Sequence, residues 1–137
     1  MKEPFIAFLE RESVRIVKEY EQSQGRTVKD VSQENVGYDL ISSSEHEERH
    51  IEVKGKARQG TILITPNEWR TAQVELDLYY LYIVENLLSK SRTLKIIQNP
   101  YTHMKPDSSR YLYVLQRSKY DRTSESIQTK SFMKGVV

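Results

Sequence analysis

Asp39 and, thirteen positions on, the triplet Glu52-Val53-Lys54 are the residues of this chain whose types and spacing suit a chemical step. Two carboxylates offer the hard oxygen ligands that Mg²⁺ takes. An ammonium group beside them puts positive charge next to a metal-activated water. A magnesium-dependent phosphodiesterase needs that set. On a solvated strand Glu-x-Lys is also an ordinary pair of charges facing water, so the triad carries weight only if the fold assembles it.

Residues 37–44 and 49–56 read as two strands, with Ile41, Ile51 and Val53 as β-formers and the polar run Ser44-Glu45-His46-Glu47-Glu48 as the turn. A hairpin centred near residues 45–46 sets Asp39 opposite Glu52 and Leu40 opposite Ile51. Directly opposed side chains lie about 5 Å apart at Cβ. Alternation puts Asp39, Glu52 and Lys54 on one face, and Tyr38, Leu40, Ile51 and Val53 on the other, apolar one. Opposed carboxylates repel unless neutralised, and a divalent cation does so while using their oxygens. A register slip of one residue would undo the arrangement.

The 137 residues fit one domain with its own core, and 37% hydrophobic with 29% charged residues fits a globular chain. No apolar run approaches the roughly 20 residues of a membrane span, and Met1 to Ile6 lacks a secretory apolar core. With no cysteine, disulfides, zinc–thiolate sites and thiol nucleophiles are excluded, which fits a reducing, cytoplasmic setting. Walker-type glycine loops, nucleophile elbows and dinucleotide fingerprints are absent, and His46, His50 and His103 lack metal spacing.

Charge is uneven. Residues 1–86 hold 11 Lys/Arg against 16 Asp/Glu, a balance of −5, and residues 87–137 hold 10 against 3, a balance of +7. Lys90, Arg92, Lys95, Lys105, Arg110, Arg117, Lys119 and Arg122 alternate with Tyr101, Tyr111, Tyr113 and Tyr120, a mixture that suits phosphate contact and base stacking, or serves only solubility.

The elements that must position these groups follow from periodicity. Residues 4–24 read as an amphipathic helix with Ile6, Leu9, Val14, Ile16, Val17 and Tyr20 on its apolar stripe, stopped at Gly25. Residues 27–32 alternate as a strand ahead of the hairpin, and 61–64 form a short β run. Thr65-Pro66-Asn67-Glu68 is a capping box with proline at the first helical position, opening a helix to about Leu76. Residues 79–84 read as a strand buried on both faces, 94–97 as another ended by Asn99-Pro100, and 111–115 as a last one. A parallel pair is expected across the βαβ portion at 61–84. The predicted architecture is α/β, a mixed sheet flanked by helices, with a domain at 1–118 and a loose polar tail at 119–137.

Four blocks, Gly37 to Ser42, Ile51 to Gly55, Thr65 to Trp69 and Tyr79 to Val84, together resemble the NO VEIN-type C-terminal domain of unknown function, which is similar to the PD-(D/E)XK, or restriction-endonuclease-like, nuclease superfamily. The resemblance spans roughly residues 8–100 and implies a helix, a three-stranded antiparallel run, a second helix and a further strand. It implies that Asp39, Glu52 and the Val53 carbonyl hold Mg²⁺ or Mn²⁺, with Lys54 orienting or activating the water. It also implies a further glutamate from the first helix: Glu10 is preferred, with Glu21 on nearly the same face as the alternative. The implied reaction is endonucleolytic hydrolysis, of DNA before other substrates, leaving 5′-phosphate ends.

Around this core, Lys56 and Arg58 are placed to touch a DNA backbone, and Asn67 either holds a phosphate or water near the metal or, with Glu68, only caps its helix. Trp69 and the Tyr79–Tyr82 cluster read as core, and His50 as a surface histidine near a turn. Two functions remain open. One is an active nuclease; the other is a silent nucleic-acid-binding or protein-interaction module of a helicase or restriction system. A homodimer or a helicase-like partner is compatible with either.

Overall fold

The computed structural model describes residues 2–108, 113–129 and 132. Helix α1 (Lys2–Ser23) leads into strands β1 (Thr27–Asp30), β2 (Leu40–Ser43) and β3 (Glu48–Gly55), an antiparallel run. Strand β4 (Ile62–Ile64) and helix α2 (Pro66–Glu75) precede β5 (Tyr79–Glu85) and β6 (Thr93–Gln98). The short helix α3 (Pro100–His103), β7 (Asp107–Ser108), β8 (Tyr113–Leu115), helix α4 (Arg117–Thr123) and β9 (Glu125–Gln128) follow among the described residues.

The main sheet has the order β1-β2-β3-β5-β6-β9, and only its β3–β5 pair is parallel. Helix α1 covers one face: Ile16 and Val17 pack on Leu40, Ile51, Tyr80, Tyr82 and Val84. On the other face α2 sets Trp69 and Ala72 against Tyr79, Leu81 and Ile83, beside a small sheet of order β4-β8-β7. Strand β5, central and buried at every position, is apolar on both sides for that reason. Among the described residues no helix is long and apolar enough to cross a membrane.

Several expectations change. The parallel partner of β5 is β3, not the run at 61–64, which leaves the main sheet to pair with β8. Residues 37–39 stand ahead of β2 rather than in it. Gly37 has φ 93°, and a side chain there would overlap Thr71. Tyr38 therefore turns away from Leu40 and stacks on His50, with ring centroids 4.3 Å apart. His50 is buried rather than superficial, its Nδ1 2.9 Å from Glu75 and its Nε2 2.7 Å from Glu48.

The segment from Lys119 to Gln128 is no loose tail, because α4 and β9 are tied down by charge. Glu85, fully buried, accepts from Arg117 at 2.8 Å and Tyr120 at 2.8 Å. Lys95 pairs with Asp121 at 2.7 Å, and β9 completes the sheet edge along β6. Arg110, Tyr111 and the first two residues of the strand expected at 111–115 lie outside the described residues.

Candidate active site

The hairpin register is the expected one, Leu40 opposite Ile51, so Asp39 stands beside Glu52. Asp39 is fixed on three sides. Its N–H donates to the Ile51 carbonyl at 2.9 Å, its carbonyl accepts from Val31 N–H at 2.8 Å, and its Oδ2 accepts from Val53 N–H at 2.9 Å. The side chain thus occupies the place on β3 that β2 leaves unpaired. Because a strand residue bonds the same neighbour through its N–H and C=O, the Val53 carbonyl faces the Asp39 side too.

Lys54 is held between acids. Its Nζ lies 3.2 Å from Glu52 Oε2 and 2.8 Å from Glu68 Oε1. The capping box positions Glu68: Thr65 accepts from Glu68 N–H at 3.1 Å, and Glu68 Oε1 accepts from Thr65 N–H at 3.0 Å. One glutamate oxygen therefore both caps α2 and grips Lys54.

The opposite wall comes from α1. At Gly55 a Cβ would sit 2.9 Å from the Leu9 carbonyl and 2.8 Å from Ser13 Oγ, so only glycine lets the helix approach β3 this closely. That approach brings Glu10 to the rim of an open cleft of about 910 Å³ shared with Asp39, Glu52, Val53, Lys54 and Glu68.

Electrostatics mark the cleft. Glu52 is 4% exposed. Burial pushes its carboxyl well above the usual range; Lys54 pulls it back, while Asp39 and Glu68 push it further up. Burial likewise raises Asp39, against the Val53 N–H and Lys54. Burial works against the Lys54 ammonium, but Glu52 and Glu68 outweigh it and hold its pKa above the ordinary value. Three carboxylates thus crowd one cation.

The donor set fits a hard divalent ion. Among the described residues no group of three or more His, Cys, Asp or Glu is arranged to hold a metal. The cleft supplies two carboxylates and a backbone carbonyl, and Mg²⁺ characteristically fills its remaining positions with water and substrate phosphate. Crowded buried carboxyls with raised pKa are also the state a bound cation relieves.

Of the residues expected to act, Asp39, Glu52, Val53 and Lys54 come together, and Glu10 and Lys56 line the same cleft. Arg58 and Asn67 are exposed and stand outside its lining, Asn67 offering its carbonyl to Thr71. Glu21 faces away, fully buried between Arg26 and Arg49. Glu68 was legible only as a cap: the Thr-x-x-Glu spacing is visible in sequence, but its contact with Lys54 is not. Much of the basic C-terminal charge is consumed inside the fold, Arg92 by Glu12, Lys95 by Asp121 and Arg117 by Glu85.

The profile of the family described as "Protein NO VEIN, C-terminal" matches residues 9–97. No curated protein sequence matches the chain. Among solved structures it is similar to Archaeoglobus fulgidus Hjc, a Holliday junction resolvase from an archaeal hyperthermophile, with TM-score 0.58 and 10% identity over 85% of this chain and 96% of that one. The fold is thus restriction-endonuclease-like.

Proposed function

This chain belongs to the NO VEIN C-terminal family, and we propose on that footing that it is a divalent-metal-dependent endonuclease hydrolysing phosphodiester bonds in DNA. The observation that carries the reading is a carboxylate pair, buried Glu52 and half-buried Asp39, set beside a doubly held lysine in an open cleft.

Asp39, Glu52 and the Val53 carbonyl would hold Mg²⁺ or Mn²⁺, which when bound polarises a phosphoryl oxygen and acidifies water. Lys54 stays an ammonium between Glu52 and Glu68. It therefore donates hydrogen bonds, orienting the attacking water and offsetting the negative charge that gathers on the phosphoryl oxygens; it does not take up the water's proton. Glu68 keeps the ammonium aimed and charged. Glu10, on the α1 rim, orients water or ligands from the opposite wall. Water adds to phosphorus, the bond to the 3′ oxygen breaks, and a 5′-phosphate and a 3′-hydroxyl remain. One site per chain cuts one strand, so cutting both strands at once calls for a second copy of the chain, whereas a helicase-like partner would present them in turn.

Plasmid and single-stranded DNA incubated with Mg²⁺ or Mn²⁺ provide the test. Wild type is expected to cut, while Asp39→Asn and Lys54→Ala lose about 100-fold or more. Glu68→Gln preserves the capping box but removes the charge, and should lower the pH at which the alkaline limb of the rate profile falls. Equal cutting by wild type and all variants would trace the activity to a contaminant. Binding without any cutting would leave a silent nucleic-acid-binding module.

A further inference from the structure

A second cavity, about 440 Å³, lies between the segment after α3 and helix α4, lined by His103, Lys105, Asp107, Lys119 and Arg122 among others. Lys119 is engaged: its Nζ donates to the Lys105 carbonyl at 2.9 Å and stands 3.4 Å from Asp107. Lys105 and Arg122 have no acidic partner among the described residues; Arg122 only donates from Nε to the Ser118 carbonyl at 3.0 Å. They contrast with Arg92, Lys95 and Arg117, each spent on a carboxylate inside the fold. The cavity therefore gathers unspent positive charge around a single carboxylate.

The small sheet links this cavity to the catalytic cleft. Leu63 of β4 pairs with Val114 of β8, which pairs with Asp107 of β7. Leu63 lines the cleft and Asp107 lines the second cavity. Directly paired residues share a sheet face, and here it is the outer one, because Ile62, Ile64 and Leu115 fill the core while Leu63 is 50% exposed. Two strand spacings separate the ends of that row, about 10 Å, the rise of roughly three stacked nucleotides.

We propose that the second cavity binds a backbone phosphate of the same polynucleotide strand whose phosphodiester enters the cleft, at least about three nucleotides from the cut. The strand crosses the outer face of the small sheet over Leu63 and Val114, and Lys105 and Arg122 hold the phosphate. This inference rests on the nuclease reading for the position of the cut, but its binding arm does not.

A short 5′-fluorescein-labelled single-stranded oligodeoxynucleotide, titrated in EDTA across a range of salt and followed by anisotropy, measures binding without turnover. The Lys105→Gln/Arg122→Gln double variant should bind more weakly, with a salt slope shallower by about one. Lys105→Arg/Arg122→Lys, which keeps both charges, should restore the wild-type slope. An oligoribonucleotide of the same sequence should show the same change, since the contact is to phosphate. With Mn²⁺, methylphosphonates placed one at a time should slow wild-type cutting at the scissile phosphate and again at one position about three or more nucleotides away. The second effect should vanish in the double variant. An unchanged salt slope, no binding by wild type, or a methylphosphonate profile identical in the two proteins would overturn the proposal. Charge-dependent binding with no cutting by wild type would sink the nuclease reading and leave the phosphate site standing.

Discussion

Strand β3 passes between two buried charge clusters of opposite balance. Near its start Glu21, fully buried, is met by Arg49 at 3.3 Å and Arg26 at 3.4 Å, and Tyr82 donates to it at 2.8 Å. Arg26 satisfies its remaining donors on Ser42 and the Glu47 carbonyl. Two guanidiniums enclose the buried Glu21 carboxylate, with exposed Glu47 as a second acid 2.6 Å from Arg49 and 3.9 Å from Arg26, and the cluster welds the end of α1 to the β2–β3 hairpin. Toward the other end of β3, Asp39, Glu52 and Glu68 surround Lys54 alone, two of the acids carry raised pKa values, and the cluster opens on a cleft. Where cations match or exceed acids, charge is scaffold. Where acids exceed cations at a cleft, a carboxyl holds its proton to higher pH unless a cation arrives, a pattern that marks functional-site candidates.

That contrast breaks most visibly at the scaffold end. Glu21→Ala leaves buried Arg26 and half-buried Arg49 with exposed Glu47 as their remaining acidic partner, and should cost about 3 kcal/mol in urea unfolding. The exposed Arg15–Glu19 pair on the same helix is of the kind whose loss costs about 0.3–0.5 kcal/mol. A Glu21→Ala loss of that small size would mean the buried cluster is no anchor.

At the cleft end the sign reverses. Folded Glu52 holds its proton to higher pH than the unfolded chain does, so the folded state binds more protons, and the stability contributed by this site falls as pH rises through that window. Glu52→Gln cannot ionise, and Lys54 keeps Glu68 as its partner. In EDTA above neutrality this variant should therefore melt roughly 3 °C or more higher than wild type. The gain should disappear as pH falls below about 4, where the carboxyl is protonated in both states. Added Mn²⁺ should raise the wild-type melting temperature and not that of the variant. A variant less stable than wild type at every pH would remove the distinction between the two ends of β3.

How far these clusters could be read from sequence depended on the range of their contacts. The Asp39–Glu52 register followed from where the polar turn sits, a local fact, and the capping box from a four-residue spacing. Strand β5 followed from an unbroken run of apolar and aromatic residues. Long-range pairing was invisible: Arg92 finds Glu12 across 80 positions, and Arg117 finds Glu85 across 32, the second contact holding down a C-terminal segment whose composition alone reads as loose. The helix period could not separate Glu10 from Glu21, because the choice is made by Gly55, which lets α1 touch β3 at Leu9 and Ser13. Tyr38 departs from the expected face because the positive φ at Gly37 interrupts the alternation, and His50 is buried because Tyr38 stacks on it and Glu75 and Glu48 bond it, none of which its nearness to the turn reveals.

The most direct measurement is an anomalous difference map from crystals of the protein soaked in Mn²⁺, collected for wild type and for Asp39→Asn. The expected result is one strong peak between the carboxylates of Asp39 and Glu52, beside the Val53 carbonyl, lost in the variant. A cleft without manganese at saturating concentration, or a peak indifferent to the Asp39 substitution, would contradict the assignment of this cleft as a metal-dependent phosphodiesterase site.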